Sequence, residues 1–222
     1  MDSMSYFVTG TDTGVGKTLA SIALMQALQA RGDSVCGMKP VASGGRIDPD
    51  HGLISDDALL LTYYASIKLP YNAVNPICLE NPCSPNIAAI LEDVPLKLDR
   101  IIAAYNEINE LTDSIVVEGV GGWRTPCFGS AGMVSLAKII NLPVILVVGV
   151  RLGCINHALL TVEAIKNDGL VFSGWIANVV DANFSYISNT IEFLQANISV
   201  PLLGKIPYQH NMSKLSLGQF IE

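Results

Sequence analysis

A short apolar run, Tyr6-Phe7-Val8-Thr9, feeds a glycine-rich turn, Gly10-Thr11-Asp12-Thr13-Gly14-Val15-Gly16, which ends in Lys17-Thr18 and opens a segment with helical spacing. No other feature constrains the fold as strongly. Glycines and a lysine at a strand-to-helix junction leave backbone N–H groups and the positive end of a helix dipole open to an anion. In such a phosphate-binding loop Lys17 would neutralise the β/γ oxygens of a nucleotide and the Thr18 hydroxyl would coordinate Mg²⁺. The spacing departs by one residue from G-x-x-x-x-G-K-[ST], which puts the first glycine where Thr11 stands, whereas here it is Gly10. A mere glycine turn explains less, because strand, Gly-Lys-Thr and helix coincide.

The rest of the chain repeats the same alternation of strand and helix. Apolar runs at 6–9, 34–39, 114–118, 144–150, 174–178 and 202–206 read as strands of a mostly parallel sheet. Helices are expected at 17–30, 56–66, 85–92, 98–111, 133–140, 155–168 and 184–196, with 17–30 and 98–111 as amphipathic covers of the sheet. Half of the 222 residues are hydrophobic and 15% are charged, which suits one α/β domain over 1–222 with helices on both faces of the sheet. Residues 1–4 begin with one methionine and end with another, so they read as an alternative start outside that fold. No repeat, linker or low-complexity tract argues for a second domain. Stretches 41–54 and 119–132 lack periodicity and follow the carboxyl ends of strands, the edge where open α/β sheets bind ligands.

With 13 Lys+Arg, none clustered, and a net charge of -7, a nucleic-acid partner is not expected. The five cysteines form no C-x-x-C pair, and with no export signal they point to reduced thiols in the cytoplasm. The longest apolar run, 142–150, is too short for a bilayer core of about 30 Å, so no membrane partner is expected either.

Glu118 ends the run Ser114-Ile115-Val116-Val117, so its carboxylate emerges at the edge that carries the phosphate loop. It fits a metal ligand or a structural cap, and the following Gly119-Val120-Gly121-Gly122 favours close approach of a ligand. Lys39, in Met38-Lys39-Pro40-Val41-Ala42-Ser43-Gly44, brings an ammonium and the Ser43 hydroxyl toward the same edge. Ser55-Asp56-Asp57 reads equally well as a helix cap or as a source of a metal ligand. Asn178 is either a turn residue or a reader of a purine edge. Cys154 and His157 lack a second pair for zinc, no G-x-S-x-G or triad pattern occurs, and Trp123 and Trp175 read as packing residues.

Four motifs in order, Thr9 through Thr18, Lys39-Pro40-Val41-Ala42-Ser43-Gly44, Val117-Glu118-Gly119-Val120-Gly121-Gly122-Trp123 and Leu152-Gly153-Cys154-Ile155-Asn156-His157, make the chain resemble the dethiobiotin synthetase family from Tyr6 to about Pro207. The longer glycine spacing belongs to that family's pattern. The resemblance implies conversion of 7,8-diaminononanoate, CO₂ and ATP to dethiobiotin, ADP and phosphate, with Mg²⁺. It implies that Gly14, Val15, Gly16, Lys17, Thr18 and Leu19 bind ATP phosphates, that Thr18, Asp57 and Glu118 hold Mg²⁺, and that Lys39 is catalytic. Asp57 is preferred to Asp56 because Ala58 follows it. Thr13 and Ser43 would touch substrate, and Glu118, Gly119, Val120 and Gly121 would continue the nucleotide site. Asn178, Val179, Pro207, Tyr208 and Gln209 would surround adenine. Family members are homodimers, which would bring Cys154 and Asn156 of one subunit near its partner's diamine.

Two other readings share the scaffold. A nucleotide-switched regulatory ATPase of the partitioning type would carry a lysine where Asp12 stands, and its membrane-bound forms would end in a basic amphipathic helix. An amidating ligase would need room for a glutaminase domain. Residues 208–222 match no motif.

Overall fold

A computed structural model describes residues 4–128, 132–209 and 215–221. In chain order the first half runs β1 (Tyr6–Gly10), α1 (Lys17–Ala30), β2 (Val35–Met38), β3 (Val41–Ser43), β4 (Arg46–Asp48), β5 (Gly52–Ile54), α2 (Asp56–Tyr64), α3 (Tyr71–Val74), β6 (Ile77–Leu79) and α4 (Pro85–Leu91). The second half runs α5 (Leu98–Leu111), β7 (Ser114–Glu118), α6 (Gly132–Ile140), β8 (Val144–Val150), α7 (Cys154–Asn167), β9 (Phe172–Val179), α8 (Ile187–Asn197), β10 (Leu202–Ile206) and a 3₁₀ turn, Gly218–Phe220.

Six strands form the main sheet in the order β10-β9-β8-β1-β7-β2, and every pairing is parallel. Because both faces are covered, the strands are mostly apolar and divide their side chains by alternation, with an exposed Lys205 only in the edge strand β10. Phe7, Ile115, Val117, Leu146 and Trp175 pack on one side with residues of α5, α6, α7 and α8. Val8, Val116, Ile145, Val147 and Ile176 pack on the other with α1, Ala58 and Leu61 of α2. The six expected strands are the six of this sheet, and 114–118, 144–150 and 202–206 keep their expected bounds.

Three expectations are corrected. Stretch 41–54 is not irregular: β3 pairs in parallel with β6, while β4 and β5 form an antiparallel hairpin. Strands of three residues are too short to display a period, and β3 finds its partner more than thirty positions away. Helix α3 was not expected for the same reason of length. Helix α1 is not a one-sided cover, since residues 215–220 strap its outer side. Gln26 Nε2 donates to the Leu215 carbonyl at 2.8 Å, and Gln26 Oε1 accepts the N–H groups of Leu217 and Gly218 at 2.7 and 3.0 Å. By contrast α5 buries only Ile101 and Ile108, as a surface helix should.

All five cysteines are free thiols. Among the described residues no helix is long and apolar enough to cross a membrane.

Candidate active site

Parallel register brings the chemistry to one edge. Val8 of β1 lies opposite Glu118 of β7, and Val117 of β7 lies opposite Met38 of β2. The loop after β1, the last residue of β7 and Lys39, one residue beyond β2, therefore leave the sheet at the same level. They meet in a cleft of about 670 Å³ whose lining includes Thr13, Gly14, Gly16, Lys17, Thr18, Leu19, Lys39, Ser43, Asp57, Glu118, Val120 and Gly121.

At the bottom of the cleft an ammonium and a hydroxyl share two carboxylates. Lys39 Nζ lies 2.8 Å from Asp57 Oδ2 and 2.5 Å from Glu118 Oε1, with Lys39 3% and Glu118 0% exposed. The Thr18 hydroxyl lies 2.8 Å from Asp57 Oδ1 and 3.0 Å from Glu118 Oε1, though it can donate to only one at a time. Burial opposes the charge on Lys39, but Glu118 and Asp57 outweigh it and hold the amine above the ordinary lysine range. Burial would raise the Asp57 carboxyl, and the Lys39 ammonium overrides it to hold that group below the usual range. Lys17 differs: burial, reinforced by the Lys39 charge, pushes its amine down to about 8. Its Nζ donates to the Asp12 carbonyl at 3.1 Å.

Asp56 and Asp57 part company here. Asp56 is turned outward to Arg46 Nε at 2.9 Å, and only Asp57 reaches Thr18 and Lys39. Ser55 stands at the cap position of α2 without a side-chain cap bond. Among the described residues no three His, Cys, Asp or Glu side chains cluster to hold a metal. A divalent cation would rest on two carboxylates and one hydroxyl. That donor set fits Mg²⁺, which keeps several waters and phosphate oxygens in its shell. Glu118 Oε2, buried with no hydrogen-bond partner among the described residues, supplies an unused lone pair for it.

Glycine is required at position 16. Its φ is +84°, and a Cβ there would lie 2.0 Å from Asn178 Nδ2. Gly16→Ala is expected to lower stability by roughly 1–3 kcal/mol through backbone strain alone, and to abolish nucleotide binding by displacing the loop. Chemical denaturation and nucleotide titration of the variant measure both effects.

Several expected site residues do not line the cleft. Asn178 does not present a paired donor and acceptor to a ligand: its Nδ2 donates to the Val15 carbonyl at 2.9 Å, and its Oδ1 is buried without a partner among the described residues. It supports the loop from beneath. The Val15 side chain is in the core, and Gly119 is buried with its N–H on the Val8 carbonyl at 2.9 Å. Val179 closes β9, and Pro207, Tyr208 and Gln209 follow β10; all four lie outside the cleft. Cys154 is 3% exposed in the core of its own chain, so its thiol is not open to a second subunit, whereas Asn156 is exposed.

The cleft also has a wall that the motifs did not mark: Leu60, Pro82, Cys83, Ser84, Pro85, Thr125 and Pro126. Gly44 N–H donates to Asn81 O at 3.1 Å and Gly45 N–H to Leu79 O at 2.9 Å, which brings 82–85 beside Ser43. The one sequence signal was a serine between two prolines at a helix start, since proline suits the first helical position.

A parallel sheet whose first strand ends in a lysine-bearing phosphate loop, with an acid on the neighbouring strand, defines a P-loop nucleotide-binding protein. Similarity to known proteins narrows this. An AAA domain family model matches residues 4–216. A ParA family ATPase from Chlorobium tepidum TLS shares the fold at a TM-score of 0.55 and 14% identity, over 97% of this chain and 96% of that one. Proteins named ATP-dependent dethiobiotin synthetase BioD are far nearer in sequence. The protein of Cellvibrio japonicus is 45% identical over 93% of this chain and 90% of its own length. That of Vibrio parahaemolyticus is 43% identical over 98% and 95%. One from Xanthomonas oryzae pv. oryzae is 42% identical over 100% and 99%. The chain belongs to the ATP-dependent dethiobiotin synthetase family and is an enzyme of the ligase class.

Proposed function

We propose that this protein closes the ureido ring of dethiobiotin from 7,8-diaminononanoate and CO₂ at the expense of ATP, with Mg²⁺, in the cytoplasm. The observation that carries the reading is Lys39, a buried ammonium held between Glu118 and Asp57 in the same cleft as the phosphate loop.

One amine of the diamine takes up CO₂ as a carbamate and releases a proton. A carbamate oxygen attacks the γ-phosphorus with loss of ADP, and the second amine then attacks the carbonyl carbon and expels phosphate. No side-chain nucleophile is needed, so the protein's contribution is alignment and charge stabilisation. Lys39 stabilises the carbamate anion and the charge that builds on the transferring phosphoryl group. Lys17 and the N–H groups of 14–19 hold the phosphates, with Gly119, Val120 and Gly121 on the facing loop. Thr13 and Ser43 orient the diamine. Thr18, Asp57 and Glu118 would hold Mg²⁺, which neutralises phosphate charge when bound. Val179, Pro207, Tyr208 and Gln209 flank the adenine, above an Asn178 that braces the loop. As a homodimer, the protein would set Asn156 of one subunit near its partner's diamine.

Incubation of the purified protein with Mg-ATP, bicarbonate and 7,8-diaminononanoate tests the reading by mass spectrometry. Dethiobiotin together with diamine-dependent phosphate is the expected result. Phosphate without dethiobiotin, or neither product with ATP binding intact, would overturn it.

A further inference from the structure

The phosphate loop carries an ion pair that the chemistry above does not use. Arg151 Nη2 donates to Asp12 Oδ2 at 3.1 Å, the Thr13 N–H donates to Asp12 Oδ1 at 2.7 Å, and the Asp12 carbonyl accepts from Lys17 Nζ at 3.1 Å. One residue earlier, the Thr11 N–H donates to the Val147 carbonyl at 3.1 Å. Asp12 thus joins the β8 side of the site to the lysine that faces the phosphates. The side chains of Arg151 and Asp12 are 46% and 47% exposed, so the pair adds little to stability. Neither residue lines the cleft.

The loop needs such a tether. It contains Gly10, Gly14 and Gly16, and the last two have φ of +73° and +84°. A chain rich in glycine loses more conformational freedom when ordered than any other, and a ligand that must order it binds more weakly. Arg151 is rooted directly after β8, whose Val147 is in register with Gly10 of β1, so its anchor is part of the rigid sheet.

We propose that Arg151 is a positioning residue for nucleotide binding: paired with Asp12, it holds the turn 11–13 against β8 and keeps the loop in its phosphate-receiving shape. The inference rests on the phosphate loop and not on the identity of the second substrate. Calorimetric titration of the full-length protein with MgADP tests it, using Arg151→Ala, Arg151→Lys, Asp12→Asn and the Arg151→Ala/Asp12→Asn double variant. Asn at 12 retains an acceptor for the Thr13 N–H while removing the charge that faces Arg151. Each of Arg151→Ala and Asp12→Asn should weaken MgADP binding by about three- to tenfold, with the thermal unfolding midpoint unchanged. The double variant should be no weaker than either single one, and Arg151→Lys should bind as the wild type does. Unaltered affinity in Arg151→Ala would overturn the proposal, and so would losses that multiply in the double variant. A wild-type protein that binds MgADP but forms no dethiobiotin would refute the proposed reaction while leaving this titration decisive for Arg151.

Discussion

Lys39→Ala should cut dethiobiotin formation by about 10²–10³-fold, the usual loss when a preorganised donor is withdrawn from developing negative charge. MgADP binding should survive, because Lys17 and the loop N–H groups remain. The same substitution should also destabilise the fold. Glu118 is 0% exposed and would be left beside Asp57 without the ammonium that both now share. Breaking a buried pair from one side typically costs about 3–5 kcal/mol. Added Mg²⁺ should restore part of that loss, since a cation offered to two uncompensated carboxylates binds the folded state only. Denaturant midpoints with and without MgCl₂, beside steady-state turnover, measure both consequences. Near-normal turnover would remove Lys39 from the chemistry, and unaltered stability would show that Glu118 does not depend on it.

Glu118→Gln should act on the metal in the opposite sense. The amide retains one acceptor for the Thr18 hydroxyl but loses the charge and the unpartnered Oε2 that suit a cation. The Mg²⁺ concentration for half-maximal turnover should rise by at least about tenfold, the lower end of what even the outer partners of a metal site cost. Stability should fall less than in Lys39→Ala, because Lys39 keeps Asp57 at 2.8 Å and no buried charge is stranded. A titration of activity against MgCl₂ decides it, and an unchanged curve would return Glu118 to a structural role.

These two variants probe residues whose meaning is partly legible in the sequence. The loop from Gly10 to Thr18 carries its function in consecutive positions, because a phosphate is bound by adjacent backbone N–H groups and the residues that open a helix. The six main strands are legible for a similar reason: burial on both faces favours largely apolar runs, and those of β2 and β7 end where Lys39 and Glu118 stand. Asp57 is a different case. Neighbouring aspartates at a helix start are indistinguishable by type, and the choice depends on which carboxylate the α2 backbone turns toward Thr18 and which toward Arg46.

Asn178 shows the limit from the other side. An asparagine near the end of a strand offers a donor and an acceptor to anything near it, and Asn178 donates to the Val15 carbonyl, 163 positions away in the chain. Tertiary structure alone made that contact, as it did the wall at 82–85 and the strap of 215–220 over α1. Each depends on pairings between distant segments, β3 with β6 and Gln26 with the chain end, whose partners leave no local period or motif. Sequence by itself determined the class of sheet, the phosphate loop and the edge where the chemistry gathers, because those follow from burial and from neighbours in the chain. Which carboxylate meets which cation was decided only by the packed structure, because register and side-chain direction are properties of the assembled sheet and its covering helices.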